Sequence, residues 1–317
     1  MSETVKRLIA VVGAIALVVG AVVARRSIDT TRTDKALILR LVCSVDVAPA
    51  CQAAATADGR IKVEIQPVSQ TYATVAKAQS ISDLPFDAWL TSGPWAAMAD
   101  GARRSSTPLF AKTTDVASTP VELAGFGPKA DALRTCPGGA AACTAKGADG
   151  PWTALGGAAN LGTVQPFLGD PTTDGVALAA LAKVVIAGLG VRASELDRGA
   201  IDQSDIIPRL KRARPSGVSS APPEISGAKG GAGAVPVAVT RASLTDQLAS
   251  RILAATPVVS LVVQVALADP KLAPVVERLT AAVAAALRTE RWTTPPAASG
   301  LADAGTMAAL RDAWASS

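Results

Sequence analysis

The apolar and polar positions of the chain follow two periods that alternate along most of its length. Residues 61–68 alternate apolar Ile61, Val63 and Ile65 with polar side chains, which is the period of a half-buried strand. After Pro270 the apolar side chains recur every three or four residues, at Leu272, Val275, Val276, Leu279, Val283 and Leu287. That spacing predicts one buried face of a helix. Strands that alternate with helices predict a mostly parallel sheet covered on both faces.

The same patterns predict an ordered series of elements. Strands are predicted at 36–42, 61–68, 86–90, 120–124, 164–168, 235–240 and 256–268. Helices are predicted at 52–57, 69–79, 152–155, 176–188 and 244–254, after Pro94 and from Pro270, with Ser69 and Ser243 as N-caps. Residues 215–234 are rich in Pro, Gly, Ser and Ala and predict a mobile loop or linker. The basic cluster just before it, at 209–214, predicts an exposed face.

An uninterrupted apolar segment lies close to the N-terminus. Leu8 to Ala24 is a run of 17 residues without a charged or polar side chain. As a helix it would rise about 25 Å, the lower limit for crossing a bilayer. We favour an uncleaved signal anchor, because Arg25 and Arg26 directly after the segment are a poor cleavage context. The alternative is a cleavable signal peptide, with small residues at 22–24.

The charge distribution supports a membrane segment. The net charge of the chain is +5. Residues 1–35 hold six basic and three acidic side chains, so this segment carries +3 of the net charge. The body is therefore nearly neutral, and the basic excess at the N-terminus indicates a membrane and no nucleic-acid partner. Aromatic residues make up only 3% of the chain, too few for a base-stacking surface.

The composition also removes most catalytic chemistry. The chain has no histidine, which excludes Ser-His-Asp and Cys-His catalytic sets and histidine-ligated zinc. It has no G-x-S-x-G motif, so a serine hydrolase of that type is not expected either. We predict that the protein is no enzyme and needs neither a cofactor nor a metal.

The four cysteines form two closely spaced pairs. Cys43 and Cys51 are eight residues apart, and Cys136 and Cys143 are seven apart. Neither pair has the CxxC spacing of a metal site, so we favour disulfides. Four cysteines allow three connectivities, and the local one has the lowest entropic cost of loop closure. Disulfides place the body outside the cytoplasm. The prediction is a single-pass cell-membrane protein with cytoplasmic residues 1–7, a segment at 8–24, a stalk at 25–35 and an extracytoplasmic C-terminal domain.

The order of the segments resembles a known family. The resemblance is carried by ALILRLVCSVD from residue 36, RIKVEIQPVSQT from 60, FDAWLTSGPWAAMA from 86, STPVELAG from 118, GPWTALGG from 150, FLGDPTTDGVALAALAKVV from 167, and TPVVSLVVQVALADP with the helix after it from 256. Together these segments resemble the extracellular solute-binding proteins of bacterial transporters, with the type II periplasmic-binding-protein fold. Within that family the chain is most similar to the molybdate-binding-like branch and to binding-like modules of membrane-anchored actinobacterial proteins.

The resemblance implies an α/β, bilobed fold with two mostly parallel sheets and a ligand between the lobes. Lobe one would comprise residues 36–115 plus 240–317 and lobe two residues 116–239, with crossings near Thr119 and Thr240. The implied function is a membrane-tethered extracytoplasmic protein that captures a small ligand and works with a membrane permease or another envelope protein. The alternative is a ligand-free interaction or scaffold module of the cell envelope.

Hydroxyl side chains mark the expected ligand site. Ligands of open parallel sheets bind beyond the carboxyl ends of the strands. The candidates are Ser44, Ser69, Thr91, Ser92, Thr119, Thr172 and Thr173. Hydroxyls and helix N-terminal amides suit a small anion, although each hydroxyl could instead be a helix cap or turn residue. Asp46, Asp170 and Asp174 complicate an anion site, since they would select a cationic or polyhydroxylated ligand or simply cap helices.

Overall fold

The described part of the protein is built around a single sheet. The computed structural model describes residues 38–125, 127–214, 237–240, 252–253 and 256–317. The strands are β1 (Leu39–Ser44), β2 (Ile61–Gln66), β3 (Ala88–Ser92), β4 (Lys112–Ala124), β5 (Val237–Thr240), β6 (Ile252–Leu253) and β7 (Val259–Leu267). They form a seven-stranded sheet in the order β2-β1-β3-β7-β4-β5, with β6 also paired to β4.

Helices cover this sheet. They are α1 (Ala48–Ala57), α2 (Val68–Lys77), α3 (Trp95–Gly101), α4 (Gly127–Thr135), α5 (Gly139–Gly147), α6 (Gly175–Leu189), α7 (Arg198–Gln203), α8 (Ile206–Arg212), α9 (Ala273–Thr289) and α10 (Ala304–Ser316). Six single 3-10 turns lie between them, at Val45–Val47, Ile81–Asp83, Trp152–Leu155, Ala159–Leu161, Ala193–Glu195 and Pro270–Leu272. The alternation of strands and helices gives the expected α/β class.

The strand directions correct one part of the prediction. β1 runs parallel to β2 and β3, whereas β7 runs antiparallel to β3 and β4, and β5 and β6 run antiparallel to β4. The prediction of two mostly parallel sheets is therefore wrong for the described strands. The segment predicted as a strand at 164–168 does not join this sheet: Val164 forms only an isolated bridge, and Thr163 forms another.

The strands β4 and β7 join the two parts of the sheet, which are the parallel strands β2, β1 and β3 on one side and β5 and β6 on the other. β4 pairs with β7 from Lys112 to Val121 and then with β5 and β6. All of β7 is buried except Gln264, as the apolar run predicts. Only the end of β4 was expected from the sequence, because its first half, KTTDVAS, is polar. Ala117 and the residues after it are mostly buried, so tertiary packing decides the conformation of this segment.

The helix after Pro270 confirms the helical period. In α9 the buried residues are Val275, Val276, Leu279, Val283 and Leu287, and Leu272 just before it is also buried. This face packs against α1, β4 and β7. The apolar face predicted from spacing is therefore the one that closes the core.

Other local predictions differ from the structure. Ser69 is not an N-cap: α2 begins at Val68 after Pro67, whose fixed backbone suits the start of a helix and offers no side-chain cap. Ile252–Leu253, predicted as the end of a helix, forms strand β6 because it pairs with Leu123 and Ala124 of β4. The rest of that predicted helix and the segment 215–234 lie outside the described residues.

The N-terminal apolar segment at 8–24 lies outside the described residues as well. Among the helices that the structure describes, none has the length and apolar character needed to cross a membrane. The predicted anchor and the lobe boundaries therefore stay predictions.

Helix α10 connects elements from both parts of the sheet. It packs on α3 and also on α6, α7 and α8. The Arg311 guanidinium lies 4.1 Å from the ring centroid of Tyr72 in α2. At the other end, Lys211 Nζ of α8 donates to the carbonyl oxygen of Trp314 over 2.8 Å. The basic cluster of α8 thus holds α10, and it also holds α5 through Arg209, which donates to the Lys146 carbonyl.

Candidate functional site

Two neighbouring strand ends and the start of one helix meet at a single point. β1 and β3 run parallel and end at Ser44 and Ser92. The first residue of helix α6, Gly175, lies directly beside these strand ends. A Cβ added at Gly175 would overlap Ser92 Oγ and lie 3.4 Å from Asp46 Oδ2. We refer to Asp46, Ser92, Asp174 and Gly175 as the junction. Only glycine at position 175 allows this approach.

The hydroxyls next to the junction are engaged with each other. Ser44 Oγ donates to Thr91 Oγ1 over 2.9 Å and accepts a hydrogen bond from Trp89 Nε1 over 3.2 Å. All three residues are fully buried. The structure therefore brings the predicted residues Ser44 and Thr91 to the end of the parallel strands, but their hydroxyls already have partners within the fold.

Ser92 differs from these neighbours. It is fully buried, and its Oγ makes no hydrogen bond of ordinary geometry with the described residues. It lies close enough to the Asp46 carboxyl to favour the ionised form of that group. A buried hydroxyl without a full partner costs about 1–3 kcal/mol, so Ser92 is the exception in this network.

Asp46 occupies the 3-10 turn Val45–Val47 that directly follows β1. Desolvation raises the pKa of its carboxyl to about 6; the Ser92 hydroxyl opposes this rise and the charge of Asp174 adds to it. The disulfide between Cys43 and Cys51, with a Cα–Cα distance of 6.5 Å, ties the end of β1 to α1 across this turn. The backbone that carries Asp46 is thus fixed on both sides.

The second disulfide follows the same local connectivity. Cys136 pairs with Cys143 at a Cα–Cα distance of 6.4 Å and links α4 to α5. None of the four cysteines is free. The cysteines therefore pair as their spacing predicts.

The loop before α6 supplies the opposite wall of the junction. Asp174 is the N-cap of the helix, and its Oδ1 accepts from the amides of Val176 and Ala177 over 2.7 and 3.2 Å. Burial raises the pKa of Asp174 even though these amides lower it, and the charge of Asp170 raises it further. A carboxylate at this position also complements the helix dipole.

The two predicted threonines of this loop are used to form it. Thr172 donates to Asp170 Oδ1 through its amide over 2.9 Å and through its hydroxyl over 2.7 Å. Thr173 is exposed, and its hydroxyl lies 3.5 Å from the Asp170 carbonyl oxygen. Both hydroxyls therefore act as turn residues, the alternative that the sequence left open.

Two predicted residues lie elsewhere in the fold. Ser69 is half-buried in the first turn of α2. Thr119 is buried within β4, opposite Leu261 of β7, and not at a strand end. Neither residue belongs to the junction.

Sequence reasoning gave Asp46 too little weight and passed over Gly175. Asp46 sits four residues after the predicted strand 36–42 and two after Ser44, in the loop expected for a ligand contact. Gly175 follows an N-cap aspartate at the first position of a helix, where a poor helix former needs a packing reason. Both signals were present in the sequence, but the contact between them depends on the tertiary fold.

Metal binding finds little support at this point. Within the described ranges, no group of three or more His, Cys, Asp or Glu side chains could hold a metal ion. Asp46 and Asp174 offer two carboxylates, fewer ligands than a protein metal site usually has.

A separate surface pocket of about 650 Å³ opens between the ends of α2 and α3. Its lining includes Lys77, Gln79 and Arg104. No buried polar atom without a partner belongs to this lining among the described residues. The junction is therefore the stronger candidate.

Comparisons with known proteins give similarity in structure only. No protein-family model matches the chain, and no curated protein matches it. Among solved structures, the periplasmic binding protein P5PA is 11% identical, with a TM-score of 0.48 over 88% of this chain and 99% of that one.

Two further structures show the same level of similarity. A Trichodesmium protein (IdiA, FutA) in complex with iron and citrate is 10% identical, with a TM-score of 0.43 over 88% of this chain and 96% of that one. An OxyR C206 mutant from Corynebacterium glutamicum is 10% identical, with a TM-score of 0.42 over 84% and 73% of the two chains. With every TM-score below 0.5, this likeness assigns neither a ligand nor a function to the chain.

Proposed function

We propose that the protein is an extracytoplasmic solute-binding protein that holds a small ligand at the junction, between the ends of β1 and β3 and the start of α6. The observation that carries the proposal is the buried hydroxyl of Ser92, which faces Asp46 and Gly175 without a hydrogen bond of ordinary geometry. Buried polar groups in native proteins nearly always have partners, so an exception at a strand end points to a ligand. The proposal includes no catalytic step.

The construction of the junction supports binding by closure. One wall comes from the parallel strands and the other from α6, and β4 and β7 connect the two parts of the sheet. A ligand can enter only if Gly175 moves away from Ser92, because the two residues are in contact. A connection by two strands is suited to such a movement.

We further propose that residues 8–24 anchor the protein in the membrane and that the described body lies outside the cytoplasm. The two disulfides support this location, since such bonds persist in oxidising compartments. A membrane permease or another envelope protein would then receive the solute.

The test is a ligand screen with a matched pair of glycine variants. The full-length chain in detergent is screened by thermal shift against oxyanions, polyols, amines and divalent cations. A ligand at 100 times its Kd stabilises a protein by about 2.7 kcal/mol, which shifts Tm measurably. We expect Gly175→Ala to abolish the shift, because its Cβ overlaps Ser92 Oγ. Gly59→Ala, which meets no atom within 4 Å, should preserve it.

A second function has one observation in its favour. Gly175 is packed directly against Ser92, so the junction is closed, as expected for a binding-like module that has become a scaffold or interaction domain of the cell envelope. In that case no probe shifts Tm, Gly175→Ala leaves the complex intact, and a stable protein partner copurifies from membranes. These outcomes would overturn the solute-binding proposal.

A further inference from the structure

The junction concentrates carboxyl and hydroxyl oxygen atoms that have no cationic partner among the described residues. Asp174 caps α6 through Oδ1 alone, which leaves Oδ2 without a hydrogen bond among the described residues. Ser92 Oγ is buried against Gly175 and makes no hydrogen bond of ordinary geometry with the described residues. Asp46 faces the same hydroxyl. The Ser92 hydroxyl and the Asp46 carboxyl thus lie against the start of α6, where Asp174 adds a second negative charge.

The charges around these oxygens are all negative. No described Lys or Arg forms an ion pair with Asp46, Asp170 or Asp174. The charged side chains that act on these carboxyls are other carboxyls of the set: Asp174 acts on Asp46, and Asp170 acts on Asp174. Such a site repels an oxyanion. The helix N-terminus, which would otherwise attract an anion, already carries Asp174.

On the basis of the proposed function, we propose that the junction recognises the protonated amino group of a small organic ligand. A primary ammonium has three N–H donors and no acceptor, which matches the Asp46 carboxylate, Ser92 Oγ and Asp174 Oδ2. Charge-assisted hydrogen bonds to two carboxylates give the ammonium an advantage over a neutral hydroxyl of the same size. A divalent cation needs more oxygen ligands than the junction offers.

The experiment compares probes of equal shape and different charge. Isothermal titration calorimetry of the full-length chain uses 1,4-diaminobutane dihydrochloride, butane-1,4-diol, sodium sulfate and magnesium chloride. We expect saturable binding of the diamine and none of the diol, which has the same carbon chain without the charge. Sulfate and magnesium are expected to give no heat of binding.

Variants locate the binding. Asp46→Asn and Asp174→Asn should each weaken the diamine affinity about tenfold or more. Asparagine also caps helices, so the second variant removes charge and keeps the start of α6. Ser92→Ala should weaken binding without lowering the Tm of the ligand-free protein, a combination that a purely structural serine would not give. The control is Asp202→Asn on the exposed part of α7, which should leave the affinity unchanged.

The outcomes separate this inference from the proposed function. Binding of sulfate or of the diol, with no response to the diamine, overturns the amine inference and leaves solute binding in place. Binding of magnesium that is lost in Asp46→Asn overturns the amine inference in the same way. Equal weakening by Asp202→Asn shows non-specific attraction of cations and overturns it too. Silence of the wild-type chain toward the diamine overturns the amine inference, whereas silence in the whole thermal-shift screen overturns the proposed function.

Discussion

Two acidic environments along helix α6 differ in whether a cation lies beside the carboxyl groups. In its middle, Lys183 Nζ donates to Glu122 Oε2 over 3.3 Å and to the Val121 carbonyl over 2.8 Å, and only 1% of the Lys183 side chain is exposed. At its start, Asp46 and Asp174 have no described cationic partner. The contrast is between an ion pair formed within the protein, Lys183 with Glu122, and the carboxylates Asp46 and Asp174, for which we propose a ligand as the cationic partner.

The largest expected effect comes from breaking the completed pair. Lys183→Met removes the ammonium group that lies 3.3 Å from buried Glu122 Oε2, and removal of one partner of a buried pair costs about 3–5 kcal/mol. Chemical denaturation of the full-length chain measures this loss. Lys62→Met on the exposed face of β2 is the matched control and should change stability by less than about 0.5 kcal/mol.

If Lys183→Met costs no more than its control, the pair contributes nothing and the contrast between the two environments collapses. A double variant, Lys183→Met with Glu122→Gln, sharpens the comparison because it also removes the negative charge of Glu122. It should recover part of the loss.

An intermediate effect separates two serines at the ends of neighbouring strands. Ser44→Ala removes the partner of both Trp89 Nε1 and Thr91 Oγ1 and should cost about 1–3 kcal/mol. Ser92→Ala removes a hydroxyl that has no ordinary hydrogen bond, so the ligand-free protein should keep or gain stability. Equal losses in the two variants, measured by denaturation, would show that Ser92 is an ordinary part of the buried network.

The smallest expected effect is a change of stability with pH that originates at the Asp46 carboxyl. Its pKa in the folded protein is raised from 3.8 to about 6, so the folded state binds the proton more tightly than the unfolded state. Stability therefore falls as pH rises through this window, and the solvent exposure of Asp46 keeps the effect small. Asp46→Asn removes that cost.

Thermal unfolding should show a Tm for Asp46→Asn about 2 °C or more above the wild type at pH 7.5, and equal values near pH 4. Asp174 is present in both proteins, so the difference between the two isolates Asp46. A gain that does not depend on pH would contradict the origin of the shift in desolvation.

The sequence predicted the regular parts of the fold better than the site. Periodicity placed β2, β7, α6 and the buried face of α9, because apolar spacing directly reflects burial. It failed for the first half of β4, whose polar residues become a strand only through pairing with β7. It also failed at 164–168, where apolar residues pack in the core without a ladder partner.

The site was predictable only in its location. The carboxyl ends of β1 and β3 follow from the strand pattern, and Ser44, Thr91 and Ser92 are found there. Contacts between residues far apart in sequence, such as Trp89 with Ser44 and Gly175 with Ser92, decide which hydroxyl lacks an ordinary hydrogen bond. Sequence spacing holds no information about these contacts, so the roles of the individual hydroxyls could not be assigned.

The position of α10 has a mechanical consequence for the movement between the two walls of the junction. β4 and β7 form one connection, and α10 adds another, through Arg311 on Tyr72 and through Lys211 on Trp314. Two parts of a protein that are joined only by a pair of strands can bend widely about those strands. A second attachment at a distance from the strands restricts the movement to shear. We therefore expect the proposed movement to be a small sliding of α3, α6 and α8 along α10, with which they are packed, and not a wide opening.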